Sequence, residues 1–471
     1  MSRIKANNLT PFSGQNINFG GHAVPSGSDK NLGSETNPWK ELYVSSGSVN
    51  FIAGLSTVAS IKAGGELGLN PTIPSGMVFI DTTGTLPGST LRGSFSVGRQ
   101  NRATGTASLA VGLSNTASGN YSYAQGQTTK ALGEASHAEG VQTVALDNYS
   151  HAEGDNTLAL GNSSHAEGYF TTASGNHSHA EGQTTKAIGY YSHAEGFASI
   201  SFGTNSHAEG YQTLASGSSS HTEGRNTLAI GSNSHAEGYL TTASGQFSHA
   251  EGNYSVAFGT NSHAEGFVTV ASGANSHTEG RSTRALAESS HAEGWSTLTL
   301  GIASHTEGFL TTASADYSHA EGYRTITSGG YSHAEGIDTI ALGNGSHAEG
   351  LYTTASGACS HASGESTIAL GDVSYAGGFQ TIASGANQTV VGQYNAQNNI
   401  NSLFVVGAGT SGTRKDGFSV ELDTANVRPH IVLPTNAANP VNPKTGSMYF
   451  NPTTRLMYIH DGTTWRSSSF A

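Results

Sequence analysis

The residues best placed to do chemistry are a histidine and a glutamate two positions apart, and the pair recurs every 14 residues. The histidines are His137, His151, His165, His179, His193, His207, His221, His235, His249, His263, His277, His291, His305, His319, His333, His347 and His361. The glutamates are Glu139, Glu153, Glu167, Glu181, Glu195, Glu209, Glu223, Glu237, Glu251, Glu265, Glu279, Glu293, Glu307, Glu321, Glu335 and Glu349. A base beside a carboxylate can relay protons or ligate a metal. Either activity needs one constellation in a unique pocket, whereas here 16 pairs are equivalent. The zinc-deaminase form of His-x-Glu also requires a Pro-Cys-x-x-Cys partner, and the chain has a single cysteine, Cys359. Zinc loaded at successive coils, about 4.8 Å apart, would crowd dications. The expectation is a structural ladder with no catalytic residues, metal or cofactor; the protein is not an enzyme.

The element that carries these pairs is the repeat itself, read from Ser136 as S-H-(A/T)-E-G-x-x-T-x-A-x-G-x-x. The glycine at its fifth site keeps register from Gly98 to Gly392, which makes 22 coils without an insertion. A unit this short is too small for a helical repeat and suits two short strands with two tight corners. Glycines at sites five and twelve supply the corners through positive φ, the second being less demanding because Asp147, Ala287 and Ala315 replace it. Period two then points Ser, Ala and Gly of the first strand inward and His and Glu outward; Thr and Ala of the second strand point inward. Stacked at about 4.8 Å per coil, the array predicts a rod of roughly 100 Å. The core is thin, so one roll can hardly bury enough surface alone.

Composition agrees. Glycine supplies 63 of 471 residues and charged residues only 11%, which excludes a large mixed core. The net charge of −13 argues against nucleic acid. The opening MSRIKANNLTPFSGQ lacks a signal-peptide core and no run of 18 apolar residues occurs, so the expectation is synthesis in a host cytoplasm without membrane insertion. The threonine ladder faces inward, unlike that of an ice-binding solenoid. Aspartate is too scarce for a calcium-binding β-roll.

Aromatic residues fill site six in many coils: Tyr169, Tyr211, Tyr239, Phe267, Trp295, Phe309, Tyr323 and Phe379. They offer either a sugar-stacking platform or corner packing. Packing is favoured because a large site six goes with serine five residues later (Tyr239 with Ser244), and a polar one with a large residue (Gln183 with Ile188). Phe197 with Phe202 is an exception. The swap predicts that sites six and eleven share volume, within a coil or between adjacent coils.

The S-x-A-x-G…(S/T)-x-A-x-G pattern over about 94–392 resembles the YadA-like head of trimeric autotransporter adhesins. That resemblance implies a left-handed parallel β-roll, all-β and homotrimeric, with the residues flanking the first-strand alanine facing the trimer axis. Those residues are usually apolar in the family. Here they are His and Glu, so the implied axis is a polar ladder.

The ends resemble modules of bacteriophage tail fibres and related virion proteins, through NPWKELYVSSG near the start and GSMYFNPTTRLMYIHDGTTW near the end. Trp39, Leu42 and Val44 are the expected anchors of the first module, and 77–88 reads as strand then turn. The resulting division is an N-terminal virion-attachment domain (1–93), the solenoid (94–392), a closing segment (393–430) and a C-terminal β tip (431–471). The tip pairs two aromatic strands across Asn451-Pro452 and turns again at Asp461-Gly462; Tyr449, Tyr458, His460 and Trp465 are its candidate contacts with a host receptor or glycan. The expected protein is a homotrimeric virion fibre, joined to other virion proteins at its N-terminus. The alternatives are an autotransporter-type surface adhesin and a tip-located glycan-binding or depolymerase module.

Overall fold

The structure, a computed structural model, describes residues 48–53, 56–62, 66–69, 77–81, 94–397, 400–423, 428–432, 445 and 447–468. The anchors Trp39, Leu42 and Val44 and the turn after residue 81 lie outside them. Among the described residues every regular element is a strand. The chain divides into two units, Met1–Ile73 and Pro74–Ala471. In the first, Ser48–Ala53, Ser56–Lys62 and Glu66–Leu69 form an antiparallel meander.

The second unit contains the roll, a parallel β-solenoid of 14-residue coils. A typical coil has a first strand such as His137–Val141 and a second such as Val144–Ala145. Each strand pairs in parallel with its equivalents, His137 opposite His151 and His151 opposite His165. Small side chains make this stacking possible. Alanines at sites three and ten are fully buried between the two sheets, with the serine of site one and threonine of site eight beside them. The serine clamps the second corner: Ser136 Oγ donates to Gly133 O at 2.7 Å, and Ser248 Oγ to Gly245 O at 2.7 Å. Most site-eight threonines bury a hydroxyl without a hydrogen-bond partner, as at Thr143 and Thr241. Where serine stands there, Ser199 and Ser255 Oγ donate to Gly210 O and Gly266 O.

The corners differ from expectation. Gly140 at site five does have positive φ, at 106°, and a Cβ there would also lie 2.0 Å from Gly154 O in the next coil. Gly161 at site twelve has no positive φ. It is glycine because a Cβ would sit 2.2 Å from Gly175 O. The left-handed residues are those of sites seven and fourteen, such as Gln142 (φ 55°) and Tyr149 (φ 59°). This conformation disfavours side-chain-bearing residues. Each is held by a hydrogen bond to the coil before: Gln142 N donates to Gln127 O at 2.8 Å, Tyr149 N to Glu134 O at 2.7 Å.

Among the described residues no ring contact joins site six to site eleven, so the volume-sharing expectation finds no support in the ring packing; large residues at both sites are exposed, as at Tyr211 and Phe202.

Both ends of the stack are covered, which removes the pairing hazard of a bare sheet edge. Met77–Asp81 pairs antiparallel with Ser94–Arg99 of the first coil. At the other end Ser402–Ala408 continues the parallel stack on Thr389–Gln393, beyond residue 392. It is then turned antiparallel by Asp416–Asp423 and Arg428–Val432. Met448–Asn451, Leu456–His460 and Trp465–Ser468 make a separate antiparallel meander. Asn451 Oδ1 fixes its first turn by accepting the amides of Thr453 and Thr454.

Candidate functional site: the histidine–glutamate face

Because sites two and four point outward from a strand that stacks in register, each residue type forms a column. The histidine rings stack face to face, with centroids 4.5–4.9 Å apart and planes within 1–15°. Tyrosines close the column at both ends: Tyr123 stacks on His137, and Tyr375 meets His361 edge-on. The glutamates run alongside and line shallow open grooves with the site-five glycines. Each histidine side chain is about one third exposed in the single chain, as are the glutamates.

Histidine Nε2 lies near the glutamate of its own coil or of the coil before. His137 is 3.5 Å from Glu139; His193 is 3.8 Å from Glu181 and 4.0 Å from Glu195. His361 reaches Glu349 at 3.2 Å, within hydrogen-bonding range. The other Nε2 atoms are shielded without a hydrogen bond.

Burial lowers the pKa of eleven of these histidines, and the positive charge of stacked neighbours lowers most of the eleven further. His165 and His305 fall to about 4. The carboxyls do not shift together. Glu167, Glu237 and Glu321 rise to about 7, chiefly through hydrogen bonds to adjacent carboxyls; Glu293 does so chiefly through burial and then those bonds. Glu153, Glu223, Glu307 and Glu335 fall, because they accept such bonds. Carboxyl–carboxyl contact along the column thus divides these eight into proton holders and acceptors.

Thirteen overlapping sets of the His137–Glu139–His151 kind bring three ligand atoms within 4.8 Å of one another. Successive sets share histidines, and their spacing would crowd neighbouring dications. As chemistry, the face is a proton-sharing column whose layers are alike.

The structure separates the other candidates. At site six the rings cover one another, as in Phe197–Tyr211 (4.9 Å, 8°) and Phe309–Tyr323 (5.2 Å, 6°). Arginines intercalate where aromatics are missing: Arg225 between Tyr211 and Tyr239, Arg281 between Phe267 and Trp295. Ring faces used in this way are withdrawn from a sugar, so packing is the better account. Both arginines are polar site-six residues 14 positions from aromatics on either side, a spacing that places them between the rings.

In the tip meander, Tyr449 is 1% exposed, stacked on Tyr458 at 5.1 Å and met edge-on by Trp465 at 4.9 Å. His460 is buried against Trp465. These two are core residues, which corrects their assignment as contacts. Tyr458 and Trp465 stay half-buried.

A parallel roll of 14-residue coils with an alanine core and glycine corners defines the class: a stacked-repeat fibre module of the kind found in adhesin heads. The family model for the YadA head domain repeat matches the chain at residues 103–124, 152–178, 208–234, 236–262 and 334–359. In these stretches the roll is similar to YadA head repeats. No curated protein matches the chain.

Proposed function

We propose that the chain is the structural fibre of a phage virion, working as a homotrimer whose roll sets distance and stiffness. In this reading the N-terminal segment joins other virion proteins, the C-terminal meander faces the host surface, and the role is mechanical rather than catalytic. The observation that carries it is the unbroken stack from residue 94 to 408, whose first sheet is paired at both ends. Such a stack transmits length, and its central coils repeat the same His-x-Glu layer. Trimerisation is supported by the head-repeat match and by the core, which holds Ala, Ser and Thr while Phe202, Phe258 and Trp295 stay outside. The virion setting is supported by the resemblance of the terminal segments to virion-fibre modules.

A second reading, an autotransporter-type surface adhesin, is favoured by the head repeats themselves. Sedimentation equilibrium of the full chain should give three times 48.2 kDa. Gold-labelled antibody against the roll should then decorate purified particles; label confined to the bacterial envelope would replace the first reading with the second.

A further inference from the structure

Site eleven of one coil and site six of the next form two columns that copy each other. From Leu160 with Tyr169 to Leu300 with Phe309, eleven successive pairs are either both large or both small or polar. Ser174 goes with Gln183 and Ser244 with Asn253. Simple alternation of two coil types does not account for the match, because the irregularities are copied too. Ile188 and Phe202 are large in consecutive coils, and so are their counterparts Phe197 and Tyr211. Leu286 and Leu300 repeat this with Trp295 and Phe309. Thr104 with Leu113, Leu146 with Asp155, Ser314 with Tyr323 and Ser328 with Ile337 break the rule, all outside that stretch.

Within one chain no ring contact accounts for the match. The ring contacts of site six run to sites six and seven. Among the described residues no ring contact joins Phe202 to Tyr211 or Phe258 to Phe267, and all four are exposed at 40–57%. Two columns that match with no ring contact between them point to a partner that carries both.

We infer that the partner is a second copy of this chain: the site-eleven column of one copy packs on the site-six column of the next, one coil out of step. A constant offset maintained along the array requires the copies to run parallel. The contact joins two different faces, so it is head-to-tail and closes as a ring rather than as a two-fold dimer. Large residues then meet large ones to form the dry part of the seam, and serine meets Gln, Asn or Arg where it is wet. This seam rests on the homotrimer reading and deepens it, because it assigns which faces meet and in which register.

Paired cysteines in the full chain test it, on a Cys359→Ser background that removes the one exposed native thiol. Phe258→Cys with Phe267→Cys should oxidise to a covalent trimer on a non-reducing gel. It should do so about tenfold faster than Phe258→Cys with Asn253→Cys or with Arg281→Cys, whose registers are wrong for disulfide geometry. Ile230→Cys with Tyr239→Cys is the second pair, in case the first fails to fold. A disulfide-bonded monomer, a covalent dimer, or equal rates in all registers would overturn the seam while sedimentation still reported a trimer. A monomer by sedimentation would overturn the homotrimer reading and the seam together.

Discussion

The two corner glycines should respond differently to the same added methyl group. Gly238, at site five, has φ +102°, and a Cβ would lie 2.1 Å from Gly252 O. Gly245, at site twelve of that coil, has ordinary φ, and its Cβ would lie 1.9 Å from Gly259 O. By distance alone Gly245 is the more crowded position. Yet Asp147, Ala287 and Ala315 occupy site twelve in other coils, and the serine clamp survives there, as in Ser318 Oγ to Ala315 O at 2.7 Å. Crowding at site twelve is positional, and a local backbone shift relieves it. At site five the conformation itself is disfavoured, at about 1–3 kcal/mol. Moving the layer to clear the carbonyl also weakens one or two ladder hydrogen bonds, each about 1 kcal/mol. Gly238→Ala should therefore cost about 2–5 kcal/mol per chain and Gly245→Ala about 1–2 kcal/mol. Guanidinium unfolding at matched protein concentration, which an oligomer requires, reads the difference. Hydrogen exchange should place the loss in the coils around residue 238. Equal costs, or a larger one for Gly245→Ala, would refute the division into conformational and positional glycines.

Thr241→Val replaces a buried hydroxyl without a partner by a methyl group and should raise the denaturation midpoint, by up to about 1 kcal/mol. Ser248→Ala deletes a clamp of 2.7 Å and should lower it by about 1 kcal/mol. Histidines whose pKa is lowered, such as His165 and His305, contribute fully above their usual 6.5, and that contribution is lost as pH falls towards the folded value of about 4; the melting temperature should drop over that window. A melting temperature flat from pH 7 to 4 would show the column exposed to solvent in the assembled protein. Glu237 works in the opposite sense: its pKa is raised to about 7, so its contribution is full below the usual 4.5 and is lost as pH rises through 7. Glu237→Gln, a permanent mimic of the protonated form, should raise the melting temperature near pH 8 by about 1–3 °C and leave it unchanged near pH 5; a fall near pH 8 would contradict proton sharing.

The repeat was legible because every layer imposes the same steric demand, so Ser136, Ala138 and Gly140 recur wherever the next coil approaches. The left-handed sites were not, since Gln142, Tyr149 and Phe170 share no side-chain property; their conformation is fixed by a backbone bond to the coil below. Glycine at site twelve was misread because two causes, positive φ and close approach, leave the same residue in the sequence. Period two placed His and Glu on one outer face correctly. It could not give their protonation, which depends on ring and carboxyl spacing across coils. Tyr449 and His460 misled in another way. A three-stranded meander has so little interior that its aromatics are the core, and an aromatic count cannot tell core from contact.

The proton sharing also bears on why a polar face can stand where the related head repeats place apolar residues. A buried charge is costly unless it is paired, and the chain's formal −13 would suggest a column of such charges. The column avoids most of them. Histidines with pKa pushed below their usual value are neutral at pH 7, and raised carboxyls such as Glu237 alternate with lowered ones such as Glu223. Where a raised carboxyl lies beside a lowered one, as Glu321 does between Glu307 and Glu335, the proton it holds is donated to its neighbour, and the charges of those layers stand about two coil rises apart rather than one. That roughly halves the Coulomb repulsion between nearest charges there, which varies inversely with distance. In the proposed trimer three such columns would face one axis, and at these layers the polar axis carries less repulsion than a fully charged one.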